Sequence, residues 1–78
     1  RGARVRVHPD GRPAAVSLEA GPGQRVLEAA GPWRFFGEWW GDAPFARDYW
    51  DVQLADGGVY RLYRDLAHGG WFVDGIHD

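Results

Sequence analysis

The chain contains no cysteine, methionine or lysine, and neither asparagine nor threonine occurs among its 78 residues. Without cysteine, neither a disulfide framework nor a thiolate metal site can reinforce a domain of this size. The usual covalent nucleophiles shrink to Ser17, which sits in a strand-like segment with no evident base. No apolar run approaches the roughly 18 residues of a membrane span, and no signal-peptide pattern is present. An excess of either charge is lacking too: nine basic and eleven acidic residues give a formal net charge of −2, so no global field draws the chain to phosphate. The chain begins Arg-Gly-Ala and has no methionine, which predicts a piece of a longer protein.

What the chain has is aromatic surface. It carries five Trp, four Phe and three Tyr, and each large ring can bury roughly 150–250 Å². A domain this short hides only about 60–65% of the surface its unfolded chain exposes, so the rings must supply much of the core. Gly31-Pro32-Trp33-Arg34-Phe35-Phe36-Gly37-Glu38-Trp39-Trp40 is the densest stretch.

Gly, Pro and Asp punctuate the chain at strand-sized intervals. Ala3 to His8 alternates arginine with valine, placing Val5 and Val7 inward and Arg4 and Arg6 outward. Pro9-Asp10-Gly11 marks a turn, and Ala15 to Glu19 continues as a strand with Val16 and Leu18 inward. Residues 24–30 suit a strand or a short helical turn; a strand is preferred, ended by Gly31-Pro32.

Tyr49 to Leu54, Val59 to Arg64 and Trp71 to Ile76 read as three consecutive strands, the first two joined through Asp56-Gly57-Gly58. The expected register pairs Leu54 with Tyr60, Val52 with Leu62 and Trp50 with Arg64. A one-residue slip would scatter the apolar side chains between faces. Leu62 is expected opposite Val73 and Arg64 opposite Trp71. Trp50, Val52, Leu54, Tyr60, Leu62, Trp71 and Val73 then form the core face; Asp51, Gln53, Arg61, Tyr63, Phe72 and Asp74 form the wetter one. The fold class predicted is all-β: a single small antiparallel sheet or barrel of about six short strands spanning residues 1–78, closed to hide its edges.

Most rings between Trp33 and Trp40 are expected in the core. Yet Trp39 and Trp40 are adjacent, as are Phe35 and Phe36, and Tyr49 and Trp50. Neighbours on a strand point to opposite faces, so at least one large ring should stay at the surface. Exposed aromatics beside arginine are the types enriched in binding hot spots. The candidate partner-binding residues are Trp40, Tyr49, Tyr63 and Phe72 with Arg34, Arg61 and Arg64.

The same residue types suit single-stranded nucleic acid, because bases stack on rings while arginines track phosphates. Asp42, Asp48, Asp51, Asp56, Asp65 and Asp74 lie in the same half and would repel that backbone, so protein binding is preferred. Glu38, Asp48 and Asp51 have no spacing that defines an acid–base pair. Solvated strand ends, or ion pairs with Arg47 and Arg61, are the expectation for them. His68, His77 and Asp74 lack compact metal-ligand spacing. No catalytic residue, metal or cofactor is expected.

Five segments resemble the C-terminal end of ImuB, a bacterial relative of the Y-family translesion DNA polymerases. They are Ala29-Ala30-Gly31-Pro32-Trp33-Arg34, Gly37-Glu38-Trp39-Trp40, Arg47-Asp48-Tyr49-Trp50-Asp51-Val52, Asp56-Gly57-Gly58-Val59-Tyr60-Arg61-Leu62-Tyr63-Arg64-Asp65 and Trp71-Phe72-Val73-Asp74-Gly75. Together they cover most of residues 29–75; residues 1–28 match less sharply.

The resemblance implies a non-enzymatic part in damage-induced mutagenesis, in the bacterial cytoplasm and at the nucleoid when DNA is damaged. ImuB proteins join the sliding clamp, an ImuA-like protein and an error-prone DnaE-type polymerase, and their C-terminal region is associated with partner binding. The resemblance carries over no functional residue. Gln24-Arg25-Val26-Leu27 opens like a clamp-binding peptide but is followed by Glu28 and no aromatic pair, so clamp contact through this chain is not expected. A template-holding DNA module and a structural cap on an upstream polymerase-like body are the rival expectations.

Overall fold

In the computed structural model, residues 2–18, 21–37 and 45–77 are described, the side chains of Phe45 and His77 excepted. The described residues form six strands and no helix, hence none long and apolar enough to cross a membrane. The strands are β1 (Gly2–Val7), β2 (Pro13–Leu18), β3 (Gln24–Gly37), β4 (Phe45–Leu54), β5 (Val59–Asp65) and β6 (Trp71–His77). Each is antiparallel to the next, and β1 meets β6 to close a barrel. The all-β barrel read from the alternation is the observed fold.

Strand β4 organises the molecule, being paired along most of its length with β3 on one side and β5 on the other. Its alternate residues Asp48, Trp50, Val52 and Leu54 are buried, while Arg47, Tyr49, Asp51 and Gln53 face outward and are half-buried. The core consists of Val16, Trp50, Val52, Leu54 and Leu62, with Ala3, Val5, Leu18, Val26, Ala29, Tyr60, Trp71 and Val73 packed around it. The expected core face of the β4–β5–β6 meander is therefore present. Val7 is the exception in the first hairpin: it is exposed rather than inward, because the register of β1 on β2 shifts between Arg6 and Val7.

The three-residue turn after Leu54 pairs it with Gly58: the Leu54 amide donates to the Gly58 carbonyl at 3.0 Å and the Gly57 amide to the Leu54 carbonyl at 2.9 Å. Trp50 then lies opposite Leu62 and Val52 opposite Tyr60. The expected partners are thus each displaced by two residues. A shift of two preserves the faces, which is why the core face was still identified correctly. Leu62 opposite Val73 and Arg64 opposite Trp71 are as expected.

The larger departure is β3, which does not stop at Gly31-Pro32 but runs on to Gly37. Its register on β4 shifts between Ala30 and Trp33, so Gly31 and Pro32 together oppose Trp50. Gly31 has φ +129°, and a Cβ there would lie 2.7 Å from the Tyr49 carbonyl oxygen. Only glycine fits so close an approach at positive φ. Pro32 is tolerated because its missing N–H falls where the ladder is already interrupted.

This bulge sets which side of β3 carries Trp33 and Phe35. Ala29 packs on the core, and strict alternation from it would send Trp33 and Phe35 inward as well. The extra residue reverses the parity, so Trp33 lies beside Tyr49 and Phe35 beside Arg47 on the outside of the barrel.

Candidate functional site: an aromatic ladder across four strands

The outward residues of β3, β4, β5 and β6 bring four rings into a row. Phe35 meets Tyr49 edge-on with centroids 5.2 Å apart, Tyr49 lies 5.5 Å from Tyr63, and Tyr63 stacks on Phe72 at 5.1 Å with 23° between planes. Each contact joins neighbouring strands, so the row runs across the sheet. Tyr49 and Tyr63 are directly opposite, as are Tyr63 and Phe72, which is the cross-strand arrangement in which aromatic pairs add roughly 0.2–1 kcal/mol each. The rings therefore brace the sheet while leaving surface exposed.

Exposure rises toward β3. Trp33 is 45% exposed and Phe35 is 55% exposed, and with Tyr49, Arg61 and Asp74 they line a shallow groove of about 510 Å³. Phe36, the most exposed large apolar residue described, lies on the opposite face of β3. The expectation that most rings of this segment are core is thus overturned for Trp33, Phe35 and Phe36. Beyond Arg25, β3 pairs with β4 alone among the described residues, leaving no strand to cover them. Trp39, Trp40, Glu38 and Asp42 lie outside the described residues.

Charges frame the ladder in compensating pairs. Arg61 grips Asp51 through two hydrogen bonds, Nε to Oδ1 at 2.8 Å and Nη2 to Oδ2 at 3.0 Å. That bidentate bond, reinforced by attraction to the same carboxylate, holds the guanidinium above its ordinary pKa. Arg47 places its guanidinium 4.4 Å from the Tyr63 ring centroid and donates from Nη1 to the Tyr49 hydroxyl at 3.4 Å. The hydrogen bond to Tyr49 is the main cause of its raised pKa.

Asp74 belongs to β6 at the point where the register shifts: Arg61 opposes Gly75 and Leu62 opposes Val73, leaving Asp74 as the extra residue. Bulges of this kind re-aim side chains, and Asp74 lines the groove beside Trp33.

Asp65 closes the far side of the face through its turn. It accepts from the Ala67 amide at 2.9 Å and the His68 amide at 3.3 Å, and its Oδ2 lies 3.2 Å from His68 Nδ1. The His68 side chain is the largest cause of its lowered pKa.

Of the candidate residues read from the sequence, Tyr49, Arg61, Tyr63 and Phe72 are brought together on this face. Arg34 and Arg64 are not. Both flank Asp48 on the other side of the sheet, where Arg34 forms a bidentate pair with it at 2.8 and 3.0 Å. Arg64 lies over Trp71, 5.9 Å from its ring centroid. Alternation from Tyr63 and Phe35 puts both on the wrong face for the ladder.

For these carboxylates, expected as solvated strand ends or in pairs with Arg47 and Arg61, the structure pairs Asp51 with Arg61 and Asp48 with Arg34. Sequence reasoning missed Trp33, Phe35 and Arg47 as members of the site. Arg47 precedes Tyr49 by two on a strand, a same-face signal that was available. The positions of Trp33 and Phe35 depended on the bulge. No family model matches the chain, and neither a curated protein nor a solved structure matches it.

Proposed function

We propose that the domain is a non-catalytic protein-interaction module of an ImuB-like translesion synthesis hub. It binds an ImuA-like protein or a DnaE-type polymerase in the bacterial cytoplasm. The observation that carries the interaction reading is the ring row Phe35, Tyr49, Tyr63 and Phe72 on the outer face, continued by half-exposed Trp33. Rings already braced by their neighbours lose little conformational freedom on binding, which favours them as anchors. The pathway rests on the resemblance of residues 29–75 to the ImuB C-terminal end.

The charge balance favours a protein over a polynucleotide. Asp51, Asp65 and Asp74 outnumber Arg47 and Arg61 on this face, and Arg61 is engaged by Asp51. A phosphate chain along the rings would meet a face whose carboxylates exceed its guanidinium groups among the described residues.

The test is a titration of the domain with each protein and with a single-stranded oligonucleotide at low and moderate salt, followed by tryptophan fluorescence. Saturable binding to one protein is expected, weakened about tenfold or more when Trp33→Ala and Phe35→Ala are combined. Arg64→Glu, on the other face, should leave it unchanged. Binding to the oligonucleotide alone, lost at the higher salt, would replace this reading with DNA handling.

A further inference from the structure

We propose that the open edge of β3 from Trp33 to Gly37 pairs antiparallel with the same edge of a second copy of this chain, about a two-fold axis through Phe35. The backbone supplies the first argument. The Leu54 amide donates to the Gly58 carbonyl and the Leu66 amide to the Ala46 carbonyl, each at 3.0 Å, so even-numbered residues of β4 aim their backbone groups toward the β5 side. The Ala55 amide instead reaches the Arg25 carbonyl on β3 at 3.0 Å. Antiparallel alternation therefore gives Arg47 and Tyr49 to β3, where they oppose Phe35 and Trp33. The amides and carbonyls of Arg34 and Phe36 then point away from β4, to an edge that no described strand covers.

Such an edge is a template for a further strand unless charge, proline or a bulge blunts it. Here the bulge and Pro32 end just before Trp33, and the charge of Arg34 is matched by Asp48. Trp33 to Phe36 are all exposed, Phe35 and Phe36 on opposite faces of the strand. An occupant lying on one face would cover one of these rings. A strand added at the edge meets both.

The edge is complementary to itself in one register. With Phe35 opposite its counterpart, each Arg34 opposes a Phe36, and these two pairs exchange four backbone hydrogen bonds. The Phe35 pair is then of the closely spaced, non-hydrogen-bonded kind, ring beside ring on the outer face. Trp33 lies against Gly37 there, where no side chain competes for the space. On the other face the Arg34 guanidinium, held edge-on by Asp48, keeps a flat side free for the opposing Phe36 ring. Centring on Arg34 would instead set two guanidinium groups together and place Pro32, with no N–H to give, against Phe36. Centring on Phe36 would oppose each Phe35 to a glycine.

Continuity and space agree with a second copy. The row Phe72, Tyr63, Tyr49, Phe35 stops at β3 because the sheet does, and the two-fold joins it to its counterpart as one unbroken row. Among the described residues β2 pairs with β3 only at Gln24 and Arg25. Arg25 lies ten residues before Phe35, roughly 30 Å away at ~3.3 Å per residue. Each barrel therefore sits beyond the end of the other's contact segment, and the two do not collide. The outer ring face stays open, so this dimer stands apart from the partner reading above.

The test follows the chain by sedimentation equilibrium from micromolar to millimolar concentration, with amide hydrogen exchange read at both ends of that range. A monomer–dimer equilibrium is expected, the Arg34 and Phe36 amides exchanging fast in the monomer and slowly in the dimer. The Phe35 amide, bonded to β4, is slow in both. Phe36→Pro removes an edge donor and leaves the bonds of its neighbours to β4 in place. It should weaken dimerisation about tenfold or more, since two hydrogen bonds are lost per dimer, with the β-sheet circular dichroism unchanged. Phe35→Lys sets two like charges on the axis and should give a monomer at every concentration.

A chain that stays monomeric at millimolar concentration overturns the proposal. So does a dimer in which the Arg34 and Phe36 amides exchange as fast as in the monomer, or a folded Phe36→Pro variant that dimerises as well as the parent. Should Phe36→Pro fail to fold, exchange at those two amides in the unaltered chain still decides.

Discussion

Gly31 carries more structural consequence than any other single glycine described here. Its φ of +129° and the 2.7 Å approach to the Tyr49 carbonyl leave no room for a side chain. The nearby Trp50 ring, 3.3 Å from the same point, is buried and cannot retreat. Gly31→Ala is expected to cost about 1–3 kcal/mol, the range for a strained backbone position. It should also perturb the indole signal of Trp33, since the bulge decides which face that ring occupies. Gly23→Ala is the control, because nothing lies within 4 Å of a Cβ there. Urea denaturation of the two variants checks the difference; equal stabilities would mean the bulge relaxes without glycine.

At the scale of the element, the turns are held by aspartates rather than by apolar contacts. Asp56 joins the β4–β5 turn to the start of β3: its carboxylate accepts from the Gly58 amide at 2.7 Å, from Gln24 Nε2 at 3.2 Å and from the Tyr60 hydroxyl at 3.1 Å. Its own amide donates to Gln24 Oε1 at 2.9 Å. The hydrogen bond from the Gly58 amide is the main reason its pKa lies below the ordinary carboxylate value.

A carboxylate depressed in the folded state binds its proton more readily when unfolded. Its stabilising effect is therefore full at neutral pH and is lost as pH falls through the folded pKa, below about pH 4. Asp10 and Asp65 shift in the same direction, chiefly through the Arg12 amide and the His68 side chain respectively. Stability should thus decline in that acid window. Asp56→Asn should flatten part of the decline, as measured by denaturation midpoints across the acid range. An unchanged slope would assign the acid loss to other carboxylates.

For the molecule as a whole, the core is small. A chain of this length is expected to be stable by about 4–12 kcal/mol in total. Leu62 is fully buried between β4 and β6, against Trp50 and Val73. Leu62→Ala is expected to cost about 2–5 kcal/mol, a large share of that total, and to lower the thermal midpoint accordingly. A loss below about 1 kcal/mol would show that the barrel collapses around the missing side chain. Closure is economical in the same way: β1 meets β6 only at Gly2–Phe72 and Ala3–Trp71 among the described residues. The barrel therefore depends on the β3–β4–β5–β6 ladders for most of its pairing, and the aromatic row lies across those same ladders.

The alternation of apolar residues along the strands by itself determined the all-β class and the core face. It did so because a strand's two faces are written into odd and even positions. It also placed Tyr63, Phe72 and Arg61 together on the wet face. An error of two residues in the β4–β5 pairing changed neither result, since parity was kept.

Tertiary structure alone decided the rest. Trp33 and Phe35 reached the outer face through a bulge at Gly31-Pro32 opposite Trp50. The same change of parity took Arg34 to the other side, where it pairs with Asp48. A bulge is a one-residue change of parity, and its position is chosen by how two strands fit around a common core. Period-two reading of a single strand contains no term for that fit. Only the packed barrel does.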